Sequence, residues 1–103
     1  MIRVLIVDDH DLVRTGLRHI LDRAEDVAVV GEAGSGEEAI RRQRELDPDV
    51  VLMDISMPGM SGMEVTQRML RSDDSIRIII LTAHAQSPFP SRLLEAGALG
   101  YLT

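Results

Sequence analysis

Cysteine and lysine are both absent from this 103-residue chain. Without cysteine there is no disulfide framework and no thiolate metal site. Without lysine there is no lysine-containing P-loop and no Schiff-base chemistry, and all eleven cationic residues are Arg. No apolar run approaches the roughly 20 residues that span a bilayer. The opening residues, Met1 to Asp8, lack the charged-then-apolar-then-small layout of a signal peptide. The cytoplasm is therefore the expected compartment, with no membrane partner. Positive charge is also in short supply. The formal net charge of −6 argues against direct nucleic-acid binding by this chain, because phosphate contacts need clustered cations.

What is present fits one globular domain: 45% of residues are hydrophobic and 27% charged. Short, β-branched runs at Val4–Val7, Val27–Val30, Val50–Met53 and Ile78–Leu81 read as strands buried on both faces. A weaker fifth candidate lies at Ala98–Leu102. Between them, Leu12–Arg23 places Val13, Leu17, Ile20, Leu21 and Ala24 on one helical face. Glu37–Leu46 does the same with Ala39, Ile40, Gln43 and Leu46, and Met63–Arg71 with Val65, Met69 and Leu70. Ser35 to Glu38 and Ser61 to Glu64 both read S-x-x-E, a capping box. Ser87 followed by Pro88 suits a further helix start, and Pro48 ends the second helix. Strands alternating with helices predict an α/β fold, a parallel sheet covered on both faces. No linker or internal repeat divides the chain.

In such sheets ligands bind outside the carboxyl ends of the strands. The first strand ends in Asp8 and Asp9, the third in Asp54 and the fourth in Thr82, and the fifth carries Tyr101. If strands one and three are neighbours, three carboxylates converge and repel unless a cation joins them. Mg²⁺, a hard cation that takes carboxylates, waters and a phosphate oxygen, suits the set. A remaining carboxylate oxygen can then act as nucleophile in phosphoryl transfer. The plainer alternatives are a helix cap for Asp8 and Asp9 and a turn residue for Asp54.

Val4 through His10, Asp49 through Gly59, Leu81-Thr82-Ala83 and Gly100-Tyr101-Leu102 together resemble the receiver domains of two-component response regulators. The match is similar in detail to the branch with a LuxR-type (NarL/FixJ) DNA-binding output, and Ala85 to Pro90 before Glu95-Ala96-Gly97 resembles its GacA/UvrY group. The resemblance implies a doubly wound five-stranded parallel sheet in the order 2-1-3-4-5. It implies that Asp54 is the phospho-acceptor, taking the group from a sensor histidine kinase. Asp9, Asp54 and the backbone carbonyl of Ser56 would ligate Mg²⁺ directly, with Asp8 acting through water. Thr82 would bind the new phosphoryl group, and Tyr101 would turn in behind it as the switch. A homodimer on activation is implied, with DNA bound only through a separate C-terminal domain.

The same resemblance places a Lys at position 104, one residue past Thr103, and a last helix beyond it. Residues 1–103 are thus expected to form a receiver domain incomplete at its C-terminus. Such a chain should bind Mg²⁺ but respond weakly to phosphate. It is not expected to be an enzyme acting on an outside substrate. Two other readings stay open: a phosphatase with Asp54 as nucleophile, which would want a second Asp where Ser56 stands, and an interaction module indifferent to phosphate. The glycine-rich stretch Gly31 to Gly36 reads as a loop before a capped helix. His10, His19 and His84 share no metal-ligand spacing; His84, two residues past Thr82, reads as an ordinary loop histidine, with an influence on dephosphorylation as the alternative. Met57, Met60 and Met63 cluster by the active-site loop, where gap-filling is the common role of Met.

Overall fold

The structure, a computed structural model, describes residues 1–54 and 59–81 together with the backbone of 100–102. Five strands and three helices are placed: β1 (Ile2–Val7), α1 (Asp11–Asp22), β2 (Val27–Ala33), α2 (Gly36–Leu46), β3 (Val50–Asp54), α3 (Gly62–Ser72), β4 (Arg77–Leu81) and β5 (Gly100–Leu102). All pairings are parallel and the strand order is β2-β1-β3-β4-β5. The expected α/β class and strand order are both borne out. The helix expected after Ser87 lies outside the described residues.

Because side chains alternate along a strand, β1, β3 and β4 send two sets of apolar groups in opposite directions. Leu5, Val7, Val51, Met53, Ile78 and Ile80 form one buried cluster with Ala39 and Ile40 of α2 and Val65 and Met69 of α3. Met60 and Met63 pack against the same cluster, half-buried, as gap-filling methionines do. Val4 and Ile6 are equally buried on the other face, where α1 packs against β1 and β2.

Helix starts follow the capping pattern. Ser35 Oγ accepts from the Glu38 N–H at 3.1 Å, and Ser61 Oγ accepts from the Glu64 N–H at 3.1 Å. Helix α2 stops at Asp47, a left-handed residue (φ 51°) whose N–H reaches the Gln43 carbonyl, and Pro48 then prevents continuation. Gln43, placed on the inner face by its spacing, is buried and donates from Nε2 to the Met69 carbonyl of α3 at 2.8 Å.

Two expectations need correction. Strand β2 runs through Gly31, Glu32 and Ala33 rather than ending at Val30, so only Gly34 and Ser35 of the glycine-rich stretch are loop. A register shift opposite Val4 and Leu5 absorbs the extra residue. In α1 and just after it, Leu17, Leu21 and Ala24 are half-buried, but Val13 and Ile20 are 45% and 66% exposed. The inward stripe is Arg14, Leu17, Arg18 and Leu21, the i, i+3, i+4, i+7 set rotated one position from the apolar one. The two arginines turn inward because β2 offers them Glu32. No helix among the described residues is long and apolar enough to cross a membrane.

Candidate functional site

The site arises from strand register. Val7 of β1 lies opposite Met53 of β3, so the next residues, Asp8 and Asp54, leave adjacent parallel strands side by side at the carboxyl edge. The Asp8 N–H bonds the Ala33 carbonyl at 3.0 Å, extending the β1–β2 ladder one residue past the strand. Asp8, Asp9, Asp54 and His10 each offer one ligand atom, and these atoms all lie within 4.8 Å of one another. The three acids expected at one edge are therefore brought together.

Neither Asp8 nor Asp9 is a helix cap. The N-cap of α1 is His10, whose side chain makes no capping bond. Asp8 instead folds the turn on itself: its Oδ1 accepts from the His10 N–H at 2.8 Å and lies 3.1 Å from His10 Nδ1. Asp9 Oδ1 stands 2.9 Å from the same ring nitrogen but outside hydrogen-bonding geometry. That oxygen is buried and has no hydrogen-bond partner among the described residues. The imidazole is held above its ordinary 6.5, first by the hydrogen bond to Asp8, then by the charge of Asp9.

A hard divalent cation fits this donor set. The oxygens are carboxylate, the charge is negative and concentrated, and one buried oxygen, Asp9 Oδ1, has no hydrogen-bond partner among the described residues. Of the other expected site residues, Ser56 and Thr82 lie outside the described residues, as does His84. Tyr101 is described by backbone alone, paired with Ile80 in β5. His19 is exposed on α1.

His10, and Arg14 behind it, are what the sequence reading misses. His10 has no histidine or cysteine at metal-ligand spacing, and it directly follows Asp9. Direct adjacency to a strand-end carboxylate is the signal that would have found His10.

Residues 4–103 match the family model of the response regulator receiver domain. The chain is 55% identical over 103 residues to the response regulator GacA of Pseudomonas viridiflava and 50% identical to the response regulator UvrY of Escherichia coli. All of this chain is covered in each case, against 48% and 47% of the relative. The chain thus spans about half the length of these relatives. The crystal structure of a LuxR-family two-component response regulator from an Aurantimonas species superposes with a TM-score of 0.91 at 44% identity, covering 96% of this chain and 71% of that one. The chain belongs to the response-regulator receiver-domain family, and its likeness to the GacA/UvrY group is borne out.

Proposed function

We propose that this domain is a phosphorylation-controlled switch that accepts a phosphoryl group on Asp54 from the phosphohistidine of a sensor histidine kinase. The observation that carries the reading is the convergence of Asp8, Asp9 and Asp54 at the carboxyl edge of β1 and β3. In the transfer a P–O bond to an Asp54 oxygen forms as the P–N bond breaks, and the departing imidazole keeps the electron pair and is protonated. Asp9, Asp54 and the Ser56 carbonyl would hold Mg²⁺, with Asp8 reaching it through water. Bound there, the ion would neutralise charge on the transferring group. Asp54 supplies the nucleophile, and the rigid strand ends hold it in line.

Phosphorylated Asp54 carries about −1.5 to −2 charge and recruits the Thr82 hydroxyl, with Tyr101 turning in behind it on the neighbouring strand. The output is a DNA-binding domain outside this chain, and activation favours a homodimer. The domain works in the cytoplasm and turns over no outside substrate.

Incubation with acetyl phosphate and Mg²⁺, followed by mass spectrometry, tests this. One hydroxylamine-sensitive phosphoryl group should appear and should be absent from Asp54→Asn, whose amide keeps the shape without the nucleophilic oxygen. Equal labelling of the variant would sink the assignment. Catalytic release of phosphate would favour a phosphatase, and no labelling an interaction module.

A further inference from the structure

Only Asp8, Asp9 and His10 separate β1 from α1, and one side chain ties both ends of that turn to the sheet. Arg14 donates from Nη1 to the Asp8 carbonyl and from Nη2 to the Asp11 carboxylate. Its Nε donates to Glu32 Oε1 at 3.2 Å, and the other Glu32 oxygen receives Arg18 Nη1 at 2.5 Å. The Arg14 side chain is only 17% exposed, although it sits on the helix with no fully buried residue. The guanidinium thus joins the start of the turn, the start of α1 and the middle of the β2 extension.

We propose that Arg14, seated on Glu32, is a positioning residue that fixes the Asp8–Asp9 turn in the geometry Mg²⁺ requires. The inference rests on the reading of the carboxylate cluster as a Mg²⁺ site. Arg14 touches neither metal nor phosphoryl group in this role and acts through the Asp8 backbone.

Two effects of opposite sign follow from removing Arg14. A cation near the acidic cluster opposes Mg²⁺, so its loss would favour binding. But the charges of Arg14 and Arg18 are matched by Asp11 and Glu32 in direct contact, which leaves little net field at the site. The geometric effect therefore decides the sign. Mg²⁺ demands a near-octahedral shell, whereas Ca²⁺ accepts irregular ones. A loosened turn should harm Mg²⁺ binding and largely spare Ca²⁺.

The test is calorimetric titration of the chain with MgCl₂ and separately CaCl₂, on the parent, Arg14→Ala, Arg14→Lys and Glu32→Gln, with circular dichroism on each. Arg14→Ala should lose about tenfold in Mg²⁺ affinity, the scale seen when the groups that orient metal ligands are removed. Its Ca²⁺ affinity should fall by less than about threefold. Arg14→Lys should resemble Arg14→Ala, because one ammonium cannot span acceptors that a planar fork holds together. Glu32→Gln should shift Mg²⁺ in the same direction by less; because it also leaves Arg14 and Arg18 unmatched, which weakens both ions alike, a larger loss for Mg²⁺ than for Ca²⁺ decides the matter if Arg14→Ala does not fold. Parent-like Mg²⁺ affinity in the variants, equal losses of both ions, or full rescue by Lys would each overturn the proposal. A parent that binds no Mg²⁺ would instead overturn the reading of the site, and this inference with it.

Discussion

At the scale of single residues, Asp8 and Asp9 are chain neighbours in different surroundings. Asp8 has a 6% exposed side chain whose Oδ1 is engaged by the His10 N–H and approached by its ring. Asp9 is 26% exposed and keeps a buried oxygen with no hydrogen-bond partner among the described residues. An oxygen already receiving a proton is a poorer direct ligand than one that is not. Asp9→Ala should therefore weaken Mg²⁺ binding by roughly ten- to a hundredfold, the equivalent of about 1.5–3 kcal/mol for one charge-assisted contact. Asp8→Ala should cost less, and NMR shift titration that finds equal or reversed losses would refute the ranking. Far from the site, Asp73 Oδ1 accepts from the Ser75 hydroxyl at 2.6 Å and its N–H at 3.0 Å. These bonds, the hydroxyl first, hold its carboxyl below the ordinary 3.8. A depressed carboxyl contributes stability above its unfolded value and loses it as pH falls through the folded one. Ser75→Ala should move the Asp73 titration, read from its carboxyl carbon, back up toward the ordinary value. The stability gap between variant and parent should close in acid. An unmoved titration would assign the depression to another cause.

At the scale of elements, α2 meets α3 closely at Gly36, where an added Cβ would lie 2.5 Å from Val65 Cγ2 and 3.4 Å from Met60 Cβ. Val65 is wholly buried and has little room to retreat. Alanine is the better helix former by up to about 1 kcal/mol, but overpacking costs about 1–3 kcal/mol. Gly36→Ala should thus lower stability by about 1–2 kcal/mol in urea unfolding, and a double-mutant cycle with Val65→Ala should return a favourable coupling. Simple additivity would show that the contact is not the cause. The central strands and α2 were legible because their burial is local in pattern: continuous apolar runs, and Ala39, Ile40, Gln43 and Leu46 at helical spacing. The rotation of α1 was not legible, since an arginine turns inward only when a distant strand supplies its carboxylate. The end of β2 was hidden for the same reason. Glu32 looks like a loop residue until it is seen opposite Ile6 with Arg14 and Arg18 on its oxygens. Asp8, Asp9 and Asp54 could be found because they stand at strand ends, whereas Arg14 reaches the turn from a helix.

At the scale of the whole molecule, a net charge of −6 and three acids at one sheet edge oppose compaction. His10 supplies one nearby counter-charge, at 2.9 Å from Asp9 and 3.1 Å from Asp8, and that supply wanes once the ring deprotonates. The metal-free fold therefore carries repulsion at this edge. An ion that binds the folded chain and not the unfolded one stabilises it by about 2.7 kcal/mol at a concentration one hundred times its Kd. For a domain of this size each kcal/mol raises Tm by about 4–8 °C, so saturating Mg²⁺ should raise it by roughly 10–20 °C. General screening by salt acts in the same direction, and NaCl at matched ionic strength separates the two, because a screening effect would be the same with either salt. Asp9→Asn removes one of the repelling charges while keeping the side-chain shape. It should melt higher than the parent without metal and show little further rise with Mg²⁺. Scanning calorimetry on the two proteins in the two salts gives four melting temperatures. Equal rises in NaCl and MgCl₂ would show that no specific ion site forms at this edge, and an Asp9→Asn chain that melts lower than the metal-free parent would show that carboxylate repulsion there does not govern the stability of the fold.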